Sequence, residues 1–172
     1  MSRNKKPRKA YRPRPVTAET LALALHYAAK PARQDIEEVL RPLRAAIKAL
    51  RQGMATEHDW SLTSGSLSVA RAIERKGTVV RGLHEHIATT ERTMQAIYDR
   101  AIKKGGGQWA RTSLWFNEMD DLANFLDIHS FQIKQLGRAE FLAAIADAEK
   151  TIKAQGHTVT LVENINEERI AA

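Results

Sequence analysis

The sequence predicts an all-α protein, an antiparallel bundle of five or six helices with a disordered basic N-terminal arm and a short extended C-terminal segment. Three observations predict it. Apolar residues recur at alternating intervals of three and four along most of the chain, the stripe of a helix with one buried face. Glycine and proline fall mainly between these stripes, where they act as punctuation. Positive charge is concentrated at one end: residues 1–16 contain seven Lys or Arg and no acid.

The arm, "MSRNKKPRKAYRPRPV", carries Pro7, Pro13 and Pro15, which oppose helix and favour extended backbone. Its packed positive charge repels itself and predicts disorder in the free state. Thr17 is the expected N-cap of a first helix running to about Ala29. Pro31 suits the first turn of a second, whose stripe is Ile36, Leu40, Leu43, Ile47, Leu50 and Met54. Pro42 either kinks that helix or restarts one, and Gly53 caps it.

A third helix starts near Thr56, with Glu57 and Asp59 at the positive end of its dipole. Its middle, "SLTSGSLS", is poor in helix formers and predicts a close-packed or bent helix ending at Gly77. The fourth runs from about 79 to 104 on Val80, Leu83, Ile87, Thr90, Met94, Ile97 and Ala101, and "KKGGG" ends it. Thr112 or Ser113 starts the fifth, with Trp115, Met119, Leu122, Leu126, His129, Ile133 and Leu136 on its stripe. Within it "SFQIKQL" also alternates like a strand, but the sustained stripe favours helix. Gly137 opens a sixth helix on Phe141, Leu142, Ile145, Ala148 and Ile152, capped by Gly156. "HTVTLV" at 157–162 reads as a lone strand or extended segment before an acidic tail. The chain therefore divides into an arm at 1–16, a bundle at 17–156 and an extended C-terminal segment at 157–172.

The chain's 172 residues suffice for one domain with a real core. Of 27 basic and 20 acidic residues, the arm takes Arg3, Lys5, Lys6, Arg8, Lys9, Arg12 and Arg14. The remainder has 20 of each sign, so the pI near 9.9 describes the arm rather than the body. Lys and Arg neutralise phosphates and release condensed counterions, and an extended chain follows a nucleic-acid backbone without a preformed groove. Tyr11 among the cations is a candidate base stacker. The candidate nucleic-acid-binding residues are these seven cations and Tyr11, contacting DNA or RNA with little sequence preference. "RPRP" at 12–15 resembles the arginine-proline core of a minor-groove arm but lacks its glycine.

Other chemistries find little support. The absence of cysteine removes disulfides, thiolate metal sites and cysteine nucleophiles, and agrees with a reducing, cytoplasmic compartment. The apolar stretch from Leu21 to Ala29 is interrupted by His26 and Tyr27, without a clear cleavage site, and reads as core helix rather than signal peptide. No membrane association is expected. Placing Gly65 as the turn of a helix-turn-helix puts Arg71 and Glu74 at buried positions, so that frame fails. His84-Glu85-His86 cannot converge on a metal from one helix, and HExxH and Glu-x-x-His are absent. His129 on the fifth stripe reads as a core histidine. Glu118, Asp120 and Asp121 fall on the expected wet face, with Trp115 in the core. No P-loop or Gly-x-Ser-x-Gly occurs, and "KKGGGQW" reads as an inter-helix loop with Trp109 tucked in or exposed. No catalytic residue, metal site or cofactor is expected.

The opening "RNKKPRKAYRPRPV", followed by a helical body with "LWFNEMDDLANFLDIHSFQIKQLGRAEF", resembles short uncharacterised proteins encoded by bacteriophages and prophages of proteobacteria. The resemblance covers the basic start and residues 114–141, and implies an accessory role for a mobile element without assigning any residue a task. The expected function is that of a non-enzymatic, nucleic-acid-associated accessory protein. The alternative is a protein-interaction module or inhibitor whose bundle binds an acidic host or phage protein. The helix stripes and the lone strand also admit a homodimer.

Overall fold

The computed structural model describes residues 29–77, 79 and 82–156, and contains five α-helices with no strand among them. These are α1 (Arg33–Arg51), α2 (Glu57–Lys76), α3 (His84–Lys104), α4 (Phe116–Gln135) and α5 (Arg138–Ala154). The expected first helix at 17–29, apart from its last residue, and the expected strand at 157–162 lie outside the described residues.

Each helix begins where a carboxylate accepts from the backbone at its N-terminus, satisfying donors the helix itself leaves free. In α1, Asp35 accepts from Ala32 N–H at 3.2 Å. In α2, Asp59 accepts from Thr56 N–H at 2.8 Å while Thr56 Oγ1 accepts from Asp59 N–H at 3.3 Å. Glu118 and Glu140 repeat the pattern for Trp115 N–H at 2.8 Å and Gly137 N–H at 2.9 Å. α3 lacks a local acid of this kind. Its cap comes from the preceding helix, where Glu74 Oε1 accepts from Gly82 and Leu83 N–H, both at 3.1 Å. That borrowed cap explains why α3 starts at His84 rather than near residue 79.

α1 passes through Pro42 as one helix and neither stops nor restarts there. It ends in a turn in which Gly53 N–H donates to Leu50 O at 2.9 Å and Met54 N–H to Ala49 O at 3.0 Å. Gly53 sits at φ 67°, the left-handed conformation this closure requires. The turn swings Met54 off the stripe and leaves it exposed.

α1 to α4 alternate in direction and make an up-down-up-down bundle, with α1 against both α2 and α4. α5 packs on the C-terminal half of α2 through Ala144 and Ala148 against Ala72 and Ile73. The main core holds Leu40, Leu43, Ile47, Leu50, Leu67, Ile87, Met94, Ile97, Leu122, Phe125 and Ile133, all from the predicted stripes except Leu67 and Phe125. α2 touches the other four helices, which is why its buried residues lie on more than one face and include Thr63, Ala70 and Ala72.

Three of the five hydroxyls of "SLTSGSLS" bond back into their own helix: Thr63 to Asp59 O at 2.8 Å, Ser66 to Leu62 O at 3.0 Å and Ser68 to Ser64 O at 3.1 Å. This satisfies them where α2 is covered on several sides. Gly65 does not mark a close approach, because a Cβ built there meets nothing within 4 Å. Gly65→Ala is therefore expected to stabilise the protein by roughly 0.5–1 kcal/mol, the glycine penalty in a helix interior. Urea unfolding followed by circular dichroism measures it, and a loss of stability would show that the site has no room.

α4 begins at Phe116, not at Thr112 or Ser113, and remains helical through Gln135, so "SFQIKQL" is helix up to its last residue. Leu142, expected on the α5 stripe, is exposed. No helix of the described residues is long and apolar enough to cross a membrane.

Candidate functional site

The eight sequence-predicted nucleic-acid contacts, Arg3, Lys5, Lys6, Arg8, Lys9, Tyr11, Arg12 and Arg14, lie outside the described residues. The described residues begin at Ala29. Ala29 O accepts from Arg138 N–H at 3.3 Å, which ties the root of α1 to the α4–α5 corner. The 19 residues of α1 then carry the chain about 28 Å to the opposite end of the bundle.

That opposite end is built from the α1–α2 turn and the long α3–α4 connection. Residues 111–115 run back along the last turn of α3, held by Lys104 Nζ donating to Arg111 O at 2.7 Å and Arg100 Nη2 to Ser113 O at 3.4 Å. On the other side they pass Gly53, where an added Cβ would stand 3.5 Å from Thr112 O. Trp109 is half-buried rather than exposed. Its Nε1–H donates to Ala55 O at 2.9 Å, and its ring lies 6.4 Å from Trp60 and 6.3 Å from Tyr98. Trp60 in turn donates to Met94 O at 2.9 Å, so the aromatic cluster locks α2, α3 and the connection together.

Two expectations at the start of α4 are reversed. Trp115 is 64% exposed rather than core, and Glu118 is only 5% exposed rather than wet. The cause is register. Trp115 is the N-cap, its backbone extended, so it does not share the helical face of Met119 and Leu122. Glu118, three residues on, turns inward to accept from the Trp115 N–H and from the two terminal guanidinium nitrogens of Arg100, Nη1 and Nη2, at 2.8 and 2.6 Å. The Arg100 guanidinium lies 6.0 Å from the centre of the Trp115 ring, within cation–π range. Phe116 beside it is 76% exposed. Asp121 is tied up as well, accepting from Thr93 Oγ1 at 2.6 Å.

His84, Glu85 and His86 are all exposed. His84 and Glu85 border an open groove with Arg71 and Glu91, which pair at 3.0 Å. Burial raises the Glu91 carboxyl above its usual range against the opposing pull of Arg71. His129 is 3% exposed, stacked on Phe125 at 5.6 Å, with Nδ1 3.4 Å from Gln132 Oε1. Gln132 Nε2 donates to Ala70 O at 3.2 Å, which leaves its oxygen to accept and assigns the histidine proton to Nδ1. Burial lowers the His129 pKa to about 4, only partly offset by the Gln132 hydrogen bond. Among the described residues no group of three or more His, Asp or Glu is placed to hold a metal ion.

Sequence reasoning missed the Arg100–Glu118 clasp and the outward Trp115. The signal that could have found them is the acid three residues after an expected helix start, which recurs at Asp35, Asp59, Glu118 and Glu140. No protein-family model, curated protein or solved structure matches this chain.

Proposed function

We propose that the protein is a non-enzymatic, nucleic-acid-associated accessory protein of a phage or mobile element. It binds DNA or RNA electrostatically through its N-terminal arm, and the bundle serves as its scaffold. The observation that carries this reading is the charge partition: seven cations and no acid in residues 1–16, against equal numbers of both signs in the other 156. Such a segment neutralises successive phosphates and releases their counterions, whereas the neutral body offers no comparable sequence-local field. Arg3, Lys5, Lys6, Arg8, Lys9, Arg12 and Arg14 make the phosphate contacts, and Tyr11 stacks on an unpaired base where one is offered.

Replacing the seven cations with glutamine tests it. Full-length protein is expected to shift duplex DNA, single-stranded DNA and RNA at low salt, and the substituted protein to lose most of its affinity for duplex. Equal affinities in the two proteins would overturn the reading. A single protein partner recovered with feeble nucleic-acid binding would replace it with the interaction-module alternative.

A further inference from the structure

The end of the bundle remote from residue 29 combines two features that occur together nowhere else among the described residues. The first is a pair of adjacent, largely exposed aromatic side chains, Trp115 and Phe116, on a backbone held in place rather than loose. Glu118 fixes the Trp115 N–H, Arg100 fixes Glu118 and Ser113 O, and Lys104 fixes Arg111 O. The second is a group of exposed cations on the same elements. Arg51 closes α1, Lys103 and Lys104 close α3, and Arg111 lies in the connection that leads to Trp115. None of the four forms an ion pair among the described residues, whereas Arg100 is neutralised by Glu118. Exposed acids are present on these elements too, at Glu57, Asp99 and Asp120; Glu57 lies in the first turn of α2, whose dipole partly offsets it, and Asp99 accepts from Gln95.

We propose that this end of the bundle is a stacking platform for single-stranded nucleic acid, with Trp115 and Phe116 taking bases and Arg51, Lys103, Lys104 and Arg111 taking the phosphates. Exposed rings on a held backbone match unpaired bases, whose faces are free, rather than a duplex, whose faces are stacked on one another. The flanking cations supply the charge complement a phosphate backbone requires. The proposal rests on the nucleic-acid reading for its class of ligand but on none of the residues of the arm.

The test uses the full chain with a labelled single strand of about fifteen nucleotides and a duplex of the same length, at low salt. Trp115→Ala is expected to weaken single-strand binding about tenfold, the loss of one stacked base, and duplex binding less than twofold. Phe116→Ala acts in the same direction, and Trp115→Phe retains most of the affinity. Thermal melting of each variant checks that the fold is kept. Repeating the series on the protein with its seven arm cations replaced by glutamine separates the two ideas. If arm replacement changes nothing while Trp115→Ala still costs single-strand affinity, the arm reading falls and the platform stands. If arm replacement abolishes duplex binding while both aromatic variants keep wild-type single-strand affinity, the platform falls and the arm reading stands. Absence of single-strand binding in every protein overturns the platform as well.

Discussion

Glu118→Ala is expected to destabilise the protein by about 3 kcal/mol, more than any other single charge removal in the described bundle. Glu118 is almost fully buried and receives three hydrogen bonds, two from Arg100 and one from the Trp115 N–H. Its removal leaves the Arg100 guanidinium, 30% exposed, without its counter-charge and strips the N-cap interaction from α4. Loss of a fully buried partner costs about 3–5 kcal/mol, and the partial exposure of Arg100 puts this case at the lower end. Glu118→Gln keeps an acceptor for the Trp115 N–H but not the charge, so it falls between the two. Urea unfolding measures both variants. A value for Glu118→Ala within 0.5 kcal/mol of wild type, roughly the scatter of an ordinary surface substitution, would show that the clasp contributes nothing.

Acidification below about pH 6.5 is expected to remove stability through His129. In the unfolded chain this imidazole has an ordinary pKa near 6.5, whereas in the fold burial among Phe125 and Gln132 lowers it to about 4. Between those values the unfolded chain binds a proton that the folded chain does not, so stability rises with pH across the window. The contribution is fully present above about pH 6.5 and is lost progressively as pH falls towards 4, amounting to about 3 kcal/mol. His129→Leu should flatten the profile between pH 6.5 and 4.5 whatever its effect at neutral pH, where Gln132 Oε1 loses its partner. A wild-type profile already flat in that window would mean that the folded state accommodates the charged ring.

The helical elements were legible because the stripes of α1 and α3 are local and strictly periodic: Ile36, Leu40, Leu43, Ile47 and Leu50 are buried as their spacing requires. α2 was harder to read. A helix covered by four neighbours does not need one apolar face, and the hydroxyls of Thr63, Ser66 and Ser68 are satisfied by their own backbone carbonyls. The start of α3 depends on Glu74, eight and nine residues before the N–H groups it caps, a relation no local spacing encodes. At Trp115 the four-and-three pattern was misleading, because the pattern extends one residue beyond the helix. A tryptophan at the N-cap keeps the spacing of the stripe without keeping its direction. The arm's charge is wholly a property of the sequence, and the exposed Trp115–Phe116 pair is wholly a property of the fold.

The measurement that bears most directly on the central claim is the salt dependence of duplex binding, full-length protein beside a chain beginning at Val16. If the seven arm cations each neutralise one phosphate, the log–log slope of affinity against salt is about −6 for the full-length protein. Between 50 and 200 mM salt that slope corresponds to a loss of at least about a thousandfold. The shortened chain should bind duplex feebly with a shallow slope. A full-length slope as shallow as that of the shortened chain, at equal affinity, would contradict the account and leave the arm without its assigned task.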